Sequence, residues 1–166
     1  LERLAGIADF FLFHDREINL RNDDSIAVAT PQSLQVWRRA RGFAPRPLKI
    51  GGRFKKGVLA MGAEMKNTIA FGYDDKIVLS PHIGDLDTLE AVESLERTAV
   101  ELPAFLGRRV EAVAVDMHPD MRSTIFGRRL AERLGVEVFT VQHHHAHAAA
   151  CLAENGLEEA LALVFD

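Results

Sequence analysis

Val136-Glu137-Val138-Phe139-Thr140-Val141-Gln142-His143-His144-His145-Ala146-His147 passes from a β-prone run into a helical one, and its neighbours repeat the pattern. Upstream, Val110 to Asp116 reads as a strand and Ser123 to Leu134 as a helix. Downstream, the helix runs from His143 to Glu154, and Leu161 to Phe165 reads as a further strand. Strands that alternate with helices must run parallel, joined by right-handed crossovers.

The residues before this alternation complete the pattern. Asp87 to Leu106 spaces Leu89, Val92, Leu95, Ala99 and Leu102 three and four apart, as one face of a helix requires. Asp87 is the expected cap, and Pro103 is expected to kink the last turn or end it early. Val58 to Met61, Asn67 to Phe71 and Ile77 to Leu79 are short β-prone runs, separated by turns at 62–64 and 72–75. Turns this short imply an antiparallel meander. A three-stranded meander leading into βαβα predicts an α/β chain whose main body is a ribonuclease H-like lobe, the first lobe of actin-like ATPases. Fold alone does not separate kinases, nucleases and carbamoyltransferases.

The N-terminal third is expected to be a small β-rich remnant. Ala8 to Ile18 and Ser25 to Ala29 read as a hairpin across the polar turn Asn19 to Asp24, and Leu34 to Trp37 alternates as a half-buried strand would. Gly42 to Pro47, with two prolines and a glycine, reads as an extended linker.

Composition narrows the class. The chain is 48% hydrophobic and 27% charged, enough for one full core. No apolar run is long enough for a membrane span, and nothing directs the chain out of the cytoplasm. A net charge of −4 argues against a nucleic-acid partner. Its local basic stretches, Arg38-Arg39-Ala40-Arg41 and Arg53-Phe54-Lys55-Lys56, read as solvated charge beside a linker. The single cysteine, Cys151, excludes an internal disulfide and reads as packing on its helix. The lack of an initiator methionine and the stop just after an apolar run lead us to expect a piece of a longer chain.

The strongest chemical signal is the histidine run. On a helix His143 and His147 share a face, and His144 lies on an adjacent track. Two such imidazoles chelate a divalent metal, and the C-terminal end of a parallel strand is where open α/β sheets bind ligands. A solvent-exposed cluster or a purification tag is the alternative, although tags sit at termini and this run lies between apolar residues. A carboxylate would be the natural third ligand. Asp166 ends the last apolar run, but by itself it is only a terminal aspartate. Asp116-Met117-His118-Pro119-Asp120 leaves another strand in the same way. Here His118 and Asp120 serve either capping and loop hydrogen bonding or substrate contact, with Asp120 or Ser123 as the possible helix cap. Met61 to Thr68 forms a tight hairpin in which Lys66 is either a phosphate-facing charge or an ordinary surface lysine.

Seven stretches, taken in order, resemble the hydrogenase-maturation carbamoyltransferases (the HypF family). They are Phe13-His14-Asp15-Arg16-Glu17-Ile18, Asp23-Asp24-Ser25, Arg38 to Pro47, Met65-Lys66-Asn67-Thr68, Ser80-Pro81-His82-Ile83-Gly84-Asp85-Leu86, Asp116 to Asp120 and Gln142 to His147. Ala40 departs from the pattern, since serine is common there. The resemblance implies that residues 1–47 are the tail of a YrdC-like carbamoyl-adenylating domain and 48–54 a linker. It makes 55–156 the first lobe of a Kae1-like transfer domain and 157–166 the truncated first strand of a second lobe. The family's metal ligands fall on His143, His147 and Asp166, with iron or zinc as the ion. Lys66, Asn67, His118, Asp120 and His144 become the expected nucleotide- or carbamoyl-facing groups. Carbamoyl phosphate and ATP would be the substrates, and the acceptor would be the C-terminal cysteine of a HypE-like partner, toward the cyanide ligands of nickel-iron hydrogenase. The family's acidic-glycine-threonine-glycine loop after Asp166, its second lobe and the adenylating domain's basic cluster fall outside the sequence. With its neighbours missing, the run 161–166 is expected to be misplaced and to hold Asp166 away from the two histidines. Related actin-like tRNA threonylcarbamoyl or antibiotic O-carbamoyl transferases, or a non-catalytic scaffold, are the alternatives.

Overall fold

In a computed structural model, residues 2–16 and 22–166 are described. Among these residues, a short 3-10 turn, Glu2–Leu4, is followed by two sheets and three helices. Strands β1 (Ile26–Ala29) and β2 (Leu34–Arg38) form an antiparallel pair. Thr30 and Ser33 close the pair: the Thr30 amide donates to the Ser33 carbonyl at 2.8 Å. The strand expected at 8–18 does not form: 8–16 is irregular, and 17–18 lies outside the described residues. Phe10 and Leu12 are almost fully exposed, so their apolar content has nothing here to pack against.

The second sheet has the order β4-β3-β5-β6, built from β3 (Leu48–Ala60), β4 (Ala70–Leu79), β5 (Ala112–Asp116) and β6 (Glu137–Val141). β3 runs antiparallel to β4 and parallel to β5, which runs parallel to β6. The class expected from the alternation is present, but two boundaries differ. Residues 48–54, read as linker, form the first half of β3 because Leu48 and Lys49 pair with Ile77 and Lys76. Residues 72–75, read as a turn, stay within β4. Their irregularity is absorbed at Asp74 (φ 48°), beside shifts in the β3 register. The expected three-run meander is therefore one long hairpin, with Asn67 making only an isolated bridge to Gly84. Residues 42–47 are also more folded than a linker, because the Ala40 carbonyl accepts from the Phe43 and Ala44 amides at 3.0 and 2.8 Å.

Helices α1 (Leu89–Phe105), α2 (Arg122–Leu134) and α3 (His143–Asn155) complete the lobe. Thr88, not Asp87, caps α1, its side chain accepting from the Ala91 amide. Pro103 lies inside the helix, which still reaches Phe105. The core gathers Leu59, Phe71, Val113 and Val115 of the sheet and Met61 just beyond β3 against Leu95, Ala99 and Leu102 of α1 and Leu130 and Ala131 of α2. α2 approaches the sheet through Gly127, where an added Cβ would lie 2.5 Å from Val115 Cγ1. Helix α3 buries no residue, and Cys151 on it is exposed rather than packed: its alanine-rich faces meet too little protein. The last run, 157–166, is irregular. Among the described residues, no helix is long and apolar enough to cross a membrane.

Candidate metal centre

β5 and β6 end together. Asp116 and Val141 are the last paired residues of the two strands, and the Met117 amide donates to the Val141 carbonyl at 3.0 Å. Two residues beyond Val141, His143 opens α3, so the sheet edge fixes the span between Asp116 and His143. Gln142 starts the helix by accepting the His145 amide on Oε1 at 2.7 Å. One helical turn later, His147 meets His143 edge-on, the ring centroids 4.9 Å apart.

The two Nε2 atoms are 3.3 Å apart. Contrary to expectation, the terminal run brings Asp166 to them: its Oδ2 lies 2.8 Å from His143 Nε2 and 3.7 Å from His147 Nε2. The irregular chain after α3 folds back instead of adding to a sheet edge. One atom from each of the three residues lies within 4.8 Å of the others. Donors about 2.0–2.1 Å from a tetrahedral ion sit roughly 3.3 Å from one another, so the spacing suits a single ion held by two imidazoles and a carboxylate.

Asp116 completes the arrangement from the other side. Its Oδ2 is 2.7 Å from His143 Nδ1, its Oδ1 accepts the His118 amide at 2.8 Å, and its side chain is only 10% exposed. Burial pushes the Asp116 carboxyl up, but the His118 amide and the His143 ring outweigh it and hold it below the usual aspartate value. The bond to Asp116 raises the pKa of His143 against the opposing effect of burial, and Asp166 adds to the rise. Sequence reading missed Asp116 as a partner of His143. The available signal was its place at the end of the strand next to the one that feeds the histidine helix.

The remaining expected residues take several positions. His144 lies outside the three-residue cluster, its Nδ1 2.7 Å from Gln142 Nε2. His118 accepts the Asp120 amide on Nδ1 at 3.3 Å, which is the loop hydrogen bonding considered for it. Neither Asp120 nor Ser123 caps α2. Met121 is at the cap without a side-chain bond, and Glu64 receives the Arg122 amide at 2.7 Å while pairing with its guanidinium. Lys66 is exposed at φ 49°, its amide donating to Asp85 Oδ1 at 2.7 Å. Asn67 is buried, its Nδ2 donating to the Met61 and Ala63 carbonyls at 2.9 and 2.6 Å. It thereby holds the loop at Gly62, whose φ of +70° and closeness to the Thr68 carbonyl leave no room for a Cβ. The stretches 65–68 and 80–86 meet here, because Asn67 exchanges backbone bonds with Ile83 and Gly84 and the Ile69 amide reaches Ser80 Oγ. Gly62 and Ala63 also line a small-residue groove that continues past Ala146 and Ala150 and includes His143 and His147.

The strand order and the helices define the class: an actin-like, ribonuclease H-like lobe, with His143, His147 and Asp166 gathered at the ends of its parallel strands. Residues 53–154 match the HypF Kae1-like domain. The chain is 44% identical over 99% of its length to carbamoyltransferase HypF2 of Cupriavidus necator, covering 21% of that protein. It is 38% identical over its full length to a probable carbamoyltransferase HypF of Methanocaldococcus jannaschii, covering 22%. A crystal structure of full-length HypF in a phosphate- and nucleotide-bound form superposes with a TM-score of 0.82 at 37% identity, over 95% of this chain and 20% of that one. The chain belongs to the HypF carbamoyltransferase family, and it spans about a fifth of the length of these relatives.

Proposed function

We propose that the chain is part of a carbamoyltransferase whose transfer lobe holds a divalent ion, iron or zinc, on His143, His147 and Asp166. The observation that carries this reading is the convergence of the three donor atoms within 4.8 Å at the ends of β5 and β6. The names of the relatives and the nucleotide-bound form of one of them support the rest. In this reading residues 1–47 belong to the adenylating unit, 55–156 form the first lobe of the transfer unit, and 157–166 open its second lobe.

The substrates are carbamoyl phosphate and ATP: with water, carbamoyl phosphate loses its phosphate, and the carbamate then displaces pyrophosphate from ATP to give carbamoyl-adenylate. The acceptor is the C-terminal cysteine of a HypE-like partner, in the maturation of nickel-iron hydrogenase, and the reaction belongs in the cytoplasm. The thiolate attacks the carbamoyl carbon, a C–S bond forms, the C–O bond to the adenylate phosphate breaks, and AMP leaves. When bound, the ion supplies Lewis-acid polarisation of a phosphate or carbonyl oxygen. His143 and His147 present their Nε2 atoms to one point, and Asp166 adds a carboxylate oxygen whose negative charge would offset that of the ion. Lys66, exposed on the 61–68 hairpin, adds positive charge for the phosphate, while Asn67 keeps that hairpin in shape. This reading also assigns His118, Asp120 and His144 to nucleotide or carbamoyl contact.

The test uses the full-length protein. His143→Ala and His147→Ala should abolish carbamoylation of the partner thiol while leaving ATP–pyrophosphate exchange near the wild-type rate. Equal loss of both half-reactions would contradict this division of labour.

A further inference from the structure

His143 presents its Nε2 to His147 and Asp166 only while its ring keeps one orientation and one protonation pattern, and the neighbouring strand supplies both. Asp116 is held at three atoms. Its main-chain carbonyl accepts from Thr124 Oγ1 at 3.2 Å, its Oδ1 accepts the His118 amide at 2.8 Å, and its Oδ2 lies 2.7 Å from His143 Nδ1. Thr124 is fully buried on α2, and Asp116 is the last paired residue of β5. The carboxylate therefore cannot swing toward the ion side of the ring, and it stands outside the three-donor cluster.

We propose that Asp116 is a positioning residue for the metal centre, accepting the Nδ1 proton of His143 so that the Nε2 lone pair faces the ion. This rests on the metal reading of His143, His147 and Asp166. A carboxylate behind a ligating imidazole fixes the tautomer and the ring plane and makes the ligand more basic. Asparagine is nearly the same size, but it cannot accept from both the His118 amide and the His143 ring, because one of its two groups is a donor. In Asp116→Asn one of those donors therefore faces another donor.

Zinc affinity of the full-length protein, measured by competition with a chromophoric chelator, tests this in wild type, Asp116→Asn, His143→Ala and His147→Ala. Asp116→Asn should bind zinc roughly 10–100-fold more weakly while the metal-free protein stays folded, and each histidine variant should lose more. Wild-type affinity in Asp116→Asn alongside loss in the histidine variants would overturn the proposal and leave the metal reading standing. Unchanged affinity in the histidine variants would overturn the metal reading and the proposal with it. If Asp116→Asn fails to fold, nitrogen-labelled wild-type protein loaded with an NMR-active cadmium isotope decides the matter. Metal coupling to His143 Nε2 with a proton retained on Nδ1 supports the proposal, and coupling to Nδ1 overturns it.

Discussion

A methyl group added at Gly127 would lie 2.5 Å from Val115 Cγ1 and 2.7 Å from Met61 Cγ. Gly127→Ala must push α2 off the sheet, so we expect a loss of about 1–3 kcal/mol, read as a lower urea midpoint. At Asn67 the cost is polar instead. Asn67→Ala removes the donors to the Met61 and Ala63 carbonyls inside a buried loop, and a loss of about 1–3 kcal/mol is expected from equilibrium unfolding. The His143–His147 pair was legible at this scale because a spacing of four on a helix is local. Asp116 was not, because its contact with His143 depends on how two strands align, which no local spacing reveals. Cys151 was misread for a related reason: an apolar neighbourhood in sequence does not guarantee a packing partner in space.

Helix α1 shows what element-level patterning can and cannot fix. Its buried stripe of Leu95, Ala99 and Leu102 was read from periodicity, yet the cap fell one residue later, on Thr88. Thr88→Ala should cost about 1 kcal/mol, whereas Asp87→Ala should change stability by less than about 0.5 kcal/mol. Paired thermal melts would check this, and equal effects would argue that Asp87 shares the capping. Strands were harder to read. The resemblance made 48–54 a linker and the charges of 53–56 read as solvated residues beside it, but the β4 partner keeps β3 extended through them. The runs 8–16 and 161–165 had the opposite problem: β-prone residues without a partner strand form no strand.

Across the whole molecule, large apolar side chains lie exposed, among them Phe10, Leu12 and Trp37 in the N-terminal part of the chain and Leu161 and Phe165 in the last run. The chain spans about a fifth of the relatives it matches, and large exposed apolar surface usually marks an interface. In the full-length protein we expect these five residues to be protected from hydroxyl-radical oxidation, with Phe105 on α1 remaining reactive. Labelling of all of them at equal rates would contradict that. The lobe itself was legible because its alternation of strand and helix is strongly periodic, while the approach of Asp166 depends on an irregular return that no periodicity encodes.

His143, His147 and Asp166 are proposed to share one ion. Zinc-edge anomalous scattering from crystals of the full-length protein grown with zinc tests it most directly. One strong peak is expected about 2.0–2.2 Å from Nε2 of both histidines and from a carboxylate oxygen of Asp166, with Asp116 still on His143 Nδ1. No peak between the two histidines, or one that excludes either of them, would contradict it.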